Sequence, residues 1–140
     1  MILRIFFKHN ADKVCARALS AYKEGKAKEY MLEILSRVKS ARTDEIFEIL
    51  LFEFRTADEK TPMRASYLAA YGDERALPYL LTRIEDRSIG FVEFQELKYA
   101  IEALGGEYNE PRDFSLDKDY LAIEEATSAQ AATDREIVKS

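Results

Sequence analysis

Apolar residues recur every three or four positions along almost the whole chain, the spacing that lays a stripe on one face of an α-helix. Over 10–23 the stripe is Ala11, Val14, Cys15, Ala18, Leu19 and Tyr22; over 26–39 it is Ala27, Tyr30, Met31, Ile34, Leu35 and Val38. Asn10 reads as the N-cap of the first helix and Gly25 as its stop. The short turn at Gly25 makes the two an antiparallel hairpin. Thr43 reads as the cap of a helix over 43–56, with Asp44 and Glu45 matched to the positive end of its dipole. Its apolar residues, from Ile46 to Phe54, nearly encircle it, which predicts a central helix covered on both flanks. Thr61 as cap and Pro62 in the first turn open a helix over 62–71 that stops at Gly72. Asp73 caps a helix over 74–86, and Pro78 predicts an irregular first turn. After the loop Arg87–Gly90, Phe91, Phe94, Leu97, Ile101 and Leu104 stripe a helix over 91–104, ended by Gly105 and Gly106. Ser115 reads as the cap of a last helix over 116–127. No strand-period run stands out, and Ile2–Phe7 reads as helix rather than strand. The expected organisation is one all-α domain over 1–126, with 127–140 a polar tail or partial helix. Leu50, Leu68, Leu81, Ile101 and Leu104 are expected to share one core.

The chain also resembles itself. Leu68-Ala69-Ala70-Tyr71-Gly72-Asp73-Glu74 aligns with Ile101-Glu102-Ala103-Leu104-Gly105-Gly106-Glu107 at an offset of 33 residues. Each segment ends a helix, stops at glycine and leads into the next element. A second shift of about the same length reaches the end of the 26–39 helix, where Ser40 stands in place of glycine. A helical hairpin repeated at this period cannot cover its own apolar face, and stacked units share a core. The run Gly72-Asp73-Glu74-Arg75-Ala76-Leu77-Pro78-Tyr79-Leu80-Leu81, with Ile84-Glu85-Asp86 after it and Ala103-Leu104-Gly105 at the next helix end, resembles the HEAT-like repeats of phycobilisome lyases. The match is best over residues 61–107. The loop at 87–91 is longer than that family's turn, and Glu107-Tyr108-Asn109 lacks the expected Ala-Leu-Pro. The resemblance implies a right-handed α-α superhelix, an α-solenoid of about three stacked hairpins. Repeat residues set turns and packing, so the resemblance speaks to fold rather than to activity.

Composition narrows the chemistry. At 140 residues with 47% apolar and 34% charged side chains, the chain is long enough for one core without disulfide or metal staples. The net charge of −5 argues against wholesale nucleic-acid binding. Residues 1–42 hold ten Lys/Arg against four Asp/Glu, and residues 43–140 hold eleven against twenty-two. Each helix mixes both signs, so this asymmetry reads mainly as solvated faces. Cys15 is the only cysteine, and its apolar neighbours read as packing for a buried thiol. His9, the only histidine, is six residues away and points elsewhere on a helix. No metal-ligand spacing, phosphate loop or nucleophile elbow occurs. The carboxylate pairs Glu45/Glu48 and Glu93/Glu96 have helical spacing and read as solvated faces. Ile2–Phe7 is too short for a signal peptide or a membrane span. With the free thiol, this leads to an expected cytoplasmic protein with no membrane contact, no cofactor and no metal.

Function is then expected on a surface. In stacked hairpins the second helices line one concave face. Here those are 26–39, 62–71 and 91–104, with off-stripe residues Glu33, Arg37, Arg64, Tyr67, Gln95, Lys98, Tyr99 and Glu102. Tyr and Arg dominate binding hot spots, which selects Arg64, Tyr67, Lys98 and Tyr99 first, then Glu33, Arg37 and Glu102. The leading expectation is a non-catalytic scaffold module that holds a protein or peptide there. The alternatives are a bilin lyase-like or DNA-glycosylase-like repeat enzyme, or one part of a longer repeat assembly. Ile2–Phe7 is the candidate surface for self-association.

Overall fold

The computed structural model describes the backbone of residues 2–38 and 42–139, and side chains over 10–38 and 42–135. Seven α-helices follow one another: α1 (Ile2–Lys23), α2 (Lys28–Arg37), α3 (Asp44–Arg55), α4 (Thr61–Tyr71), α5 (Leu77–Ile84), α6 (Phe91–Ala103) and α7 (Lys118–Lys139). No strand occurs among the described residues, so the all-α expectation holds.

The helix ends show where local chemistry decided. α1 starts well before Asn10, which lies inside the helix rather than capping it. Residues 2–9 contain neither Gly nor Pro, so nothing interrupts the helix. The side chains of Ile2–Phe7, on which self-association was expected to rest, lie outside the described residues. Gly25 ends α1 as expected, at φ +75°. Its N–H donates to the Tyr22 carbonyl (2.9 Å) and that of Lys26 to Ala21 (3.0 Å), a Schellman closure that needs a left-handed residue. Ala27 is also left-handed, which delays α2 to Lys28. Thr43 does cap α3, its hydroxyl accepting from the Ile46 N–H at 3.2 Å. Thr61 does not cap α4. Its hydroxyl donates back to the Asp58 carbonyl (2.7 Å), closing a 3-10 turn over Asp58–Lys60. Pro78 breaks the 74–86 expectation into a 3-10 turn, Glu74–Ala76, capped by Asp73, and then α5.

Asp117, not Ser115, starts α7. One of its oxygens accepts from the N–H groups of Asp119 (2.9 Å) and Tyr120 (3.0 Å). The other accepts from the Phe91 N–H (3.1 Å), so one carboxylate caps both α7 and α6. α7 runs far past residue 127, and the stretch expected to be a tail or partial helix is helical to Lys139. Its alanines are strong helix formers, and polarity alone was a poor guide there.

α1 packs on α2, α3 on α4 and α5 on α6, and α2, α4 and α6 lie side by side in that order. α4 is therefore the central helix, touching α2, α3 and α6. The expectation had placed α3 there, but Phe52 on α3 is 60% exposed. A fully buried set runs through the molecule: Leu32, Leu35, Leu50, Leu68, Leu80, Ile84, Leu97 and Ile101. Leu104 is buried with them, while Leu81 is only half-buried against this core. On α5 the inward positions are Leu80 and Ile84, one helical turn apart. Gly105 supplies the left-handed step after α6. Gly106 supplies room, since a Cβ there would come within 2.8 Å of Leu77 Cδ2 and 3.0 Å of Ile101 Cγ2.

Candidate functional site

The seven residues expected on one concave face fall into three places. The first is a groove of about 260 Å³ on the side-by-side layer of α2, α4 and α6. Small residues, Ser36, Ser66, Ala69 and Ala70, line it together with Arg37, Tyr67, Tyr99 and Ala103. Tyr99 is 65% exposed. Arg37 is exposed and paired at 3.3 Å with Glu33 one turn back. Glu102, also exposed, follows Tyr99 at i+3 and shares its side of α6. The spacing thus brought Arg37, Tyr99 and their acidic neighbours to one layer.

The second place corrects the expectation. Arg64 and Tyr67 are buried rather than exposed, although Tyr67 also lines the groove. Because α4 is flanked by three helices, positions beside its apolar stripe are covered too. Arg64 donates to the Glu53 carbonyl (2.8 Å), and its guanidinium lies 3.0 Å from the Glu53 carboxylate and 2.6 Å from that of Glu29. Tyr22 donates to Glu53 at 2.5 Å, and Lys28 stands 3.1 Å from the same carboxylate. Lys60 approaches Glu29 at 3.4 Å, and the Tyr67 hydroxyl reaches the Glu29 carbonyl and carboxylate at 3.3 and 3.4 Å. Side chains from α1, α2, α3 and α4 are thereby tied at one point. Glu53 was missed by sequence reasoning. Its only signal was a carboxylate on the apolar face of α3, three residues after Leu50 and seven after Ile46.

The third place takes Lys98. It lines a separate cavity of about 440 Å³ with Phe91, Phe94, Arg112 and Tyr120, on a different side of α6 from Tyr99. Adjacent residues on a helix point about 100° apart, so Lys98 and Tyr99 do not serve one surface. Gln95 lines this cavity as well. Arg112 is committed to structure, donating to the carbonyls of Ile84 (2.5 Å) and Asp86 (3.1 Å) at the end of α5.

Burial and neighbouring charge shift three groups of the cluster, Glu29, Tyr22 and Tyr67. Burial works to raise the Glu29 carboxyl, but the hydrogen bonds and charges of Arg64 and then Lys60 together outweigh it and hold the group below its usual range. Burial, then the bond to Glu53, pushes the Tyr22 hydroxyl up to about 12; burial, then the charge of Glu29, does the same for Tyr67. In the unfolded chain both ionise near 10. The stability they contribute is therefore complete below pH 10 and lost as pH rises through about 12. The chain has eight tyrosines and no tryptophan, so tyrosinate absorbance is easily read. The expected titration shows Tyr22 and Tyr67 ionising late, with helicity lost in the same alkaline range. Tyr22→Phe should remove one of the late ionisations, and an unchanged curve would contradict the assignment.

Other chemistry is occupied or covered. Cys15 is buried, and burial followed by the charge of Asp12 pushes its thiol up, away from the reactive thiolate. The His9 side chain lies outside the described residues. Glu45 pairs with Lys23 (2.7 Å) and Glu93 with Arg83 (2.6 Å). No group of three potential metal ligands occurs among the described residues, and no described helix is long and apolar enough to cross a membrane. In comparisons with protein-family models, curated proteins and solved structures, none matches the chain.

Proposed function

We propose that the chain is a non-catalytic protein-interaction module, a short HEAT-like α-solenoid of three hairpins that holds a protein or peptide segment in the groove of α2, α4 and α6. The observation that carries this reading is the groove itself, a line of small residues between exposed Tyr99 and Arg37. Small residues let another backbone approach closely, and a rigid Tyr with a neighbouring Arg supplies contact area with polar handles. The side-by-side order of α2, α4 and α6, each with its preceding helix packed on it, supports the hairpin stack. Arg64 ties this layer together through Glu29 and Glu53, and Tyr67, held to Glu29, also lines the groove. Contact with the partner falls to Arg37 and Tyr99, with Glu33 and Glu102 setting specificity.

The test compares the wild-type chain with the Arg37→Ala/Tyr99→Ala double variant as bait in extract of the native host, after circular dichroism shows equal helicity. A protein retained by the wild type is expected to be lost from the variant. Measured on the purified pair, each hot-spot truncation is worth about 2 kcal/mol or more, roughly thirtyfold in affinity. Equal affinity for both baits would remove the groove from consideration.

A further inference from the structure

Where the last turn of α3 meets the start of α4, α5 closes one side of a cavity of about 480 Å³ that the groove does not use. Sites for small organic ligands run from about 300 to 1,000 Å³. Phe54, Ala57 and Tyr79 form its apolar wall. The polar lining is largely committed already. Thr61 and Thr82 donate their hydroxyl protons to the carbonyls of Asp58 and Pro78. Arg83 is held by Glu93 at 2.6 Å and by Asp86 at 3.5 Å. Arg55 differs. Its guanidinium carbon sits 5.5 Å from the centroid of the Tyr79 ring, and among the described residues it joins no ion pair and makes no hydrogen bond. A guanidinium held near a ring with no other partner keeps its N–H groups, the fork that matches a carboxylate. Asp58 also lines the cavity, and its charge repels any anion there, a multiply charged one more than a singly charged one.

We propose that this cavity binds a singly charged aromatic carboxylate, its ring against Phe54 and Tyr79 and its carboxylate on the edge of Arg55. That chemistry is offered both by a free aromatic acid and by the C-terminal residue of a peptide ending in Phe or Tyr. The site shares no lining residue with the groove of α2, α4 and α6, so it stands or falls separately from the interaction-module reading.

The test titrates the full, isotope-labelled chain with benzoate, N-acetylphenylalanine, N-acetylphenylalanine amide and acetate, following backbone amide shifts. Saturable shifts centred on Tyr79, Thr82 and Thr61 are expected with one or both aromatic acids. Benzoate alone points to a free acid, and N-acetylphenylalanine alone to a peptide C-terminus. The amide and acetate are expected to bind much more weakly. Arg55→Gln, at an exposed position, should leave the free chain folded, with shift changes confined to its neighbours, and weaken the acid about tenfold, the worth of a charge-assisted bond. The proposal is overturned if neither acid gives saturable shifts around the cavity. It is also overturned if the amide binds as tightly as the acid, or if Arg55→Gln binds as well as the wild type.

Discussion

Glu53→Ala is expected to cost about 3–5 kcal/mol of folding stability, the range for removing one partner of a buried ion pair. The carboxylate is almost wholly buried and engages Arg64, Tyr22 and Lys28 at once. Without it, Arg64 keeps Glu29 and the Glu53 carbonyl, but its buried guanidinium loses the more deeply buried of its two carboxylate partners. The Tyr22 hydroxyl loses its acceptor as well. Domains of this size are stable by roughly 5–15 kcal/mol, so the variant should unfold far earlier in urea. Glu53→Gln removes the charge but keeps one acceptor: its single amide oxygen can still accept from Tyr22 or from Arg64, which stand on different oxygens of Glu53, and it should fall between the two. Replacing Glu53 and Arg64 together by Met should recover much of the loss, because no unpaired charge remains buried. A single Glu53→Ala loss below about 1 kcal/mol, the worth of a surface pair, would mean that water reaches this cluster.

The acid limb has its own sign. The folded-state pKa of Glu29 is depressed, so its contribution is present above the ordinary carboxylate range and lost as pH falls through the folded value. With the late tyrosines on the alkaline side, the cluster resists unfolding between these limits and fails at both ends.

How far the sequence carried the reading differs from element to element. Period and punctuation located every helix, because Gly25, Gly72 and Gly105 take the left-handed steps that end α1, α4 and α6. The same signals misplaced helix starts. Asn10 and Ser115 have the right chemistry for caps, but nothing broke α1 before Asn10, and Asp117 reaches two helices where Ser115 reaches none. Burial was legible for Leu50, Leu68 and Ile101, whose own helices show a clear stripe. It was not legible for Arg64 and Tyr67, because their cover comes from α2, α3 and α6 together and residue type argued for exposure. Their partners, Glu29 and Glu53, are 35 and 11 residues from Arg64, beyond any local pattern. The groove was partly legible: Arg37 and Tyr99 both line it, whereas Lys98 turns to another side of α6.

α5 gives the sharpest check on the core. Leu80 and Leu81 are neighbours of identical chemistry; both lie on the apolar stripe of this helix, and Leu81 was the one expected in the shared core. The structure places Leu80 at zero exposure, with Ile84 one turn on, while Leu81 is only half-buried. Leu80→Ala therefore removes atoms packed on every side and leaves a cavity, at an expected cost of about 2–5 kcal/mol. Leu81→Ala removes a side chain already partly in water, and less of its transfer free energy is at stake. Its cost should stay below about 2 kcal/mol, the lower edge of the range for fully buried leucines. Pro78 holds the first turn of α5 in both variants, so the difference reports burial rather than helix propensity. Urea unfolding of the two variants, with equal slopes, reads it directly. If Leu81→Ala proved the costlier, α5 would be rotated by about one residue, or 100°, about its axis. The Arg83 bond to Glu93 and the approach of Arg55 to the Tyr79 ring would then have to be redrawn with it.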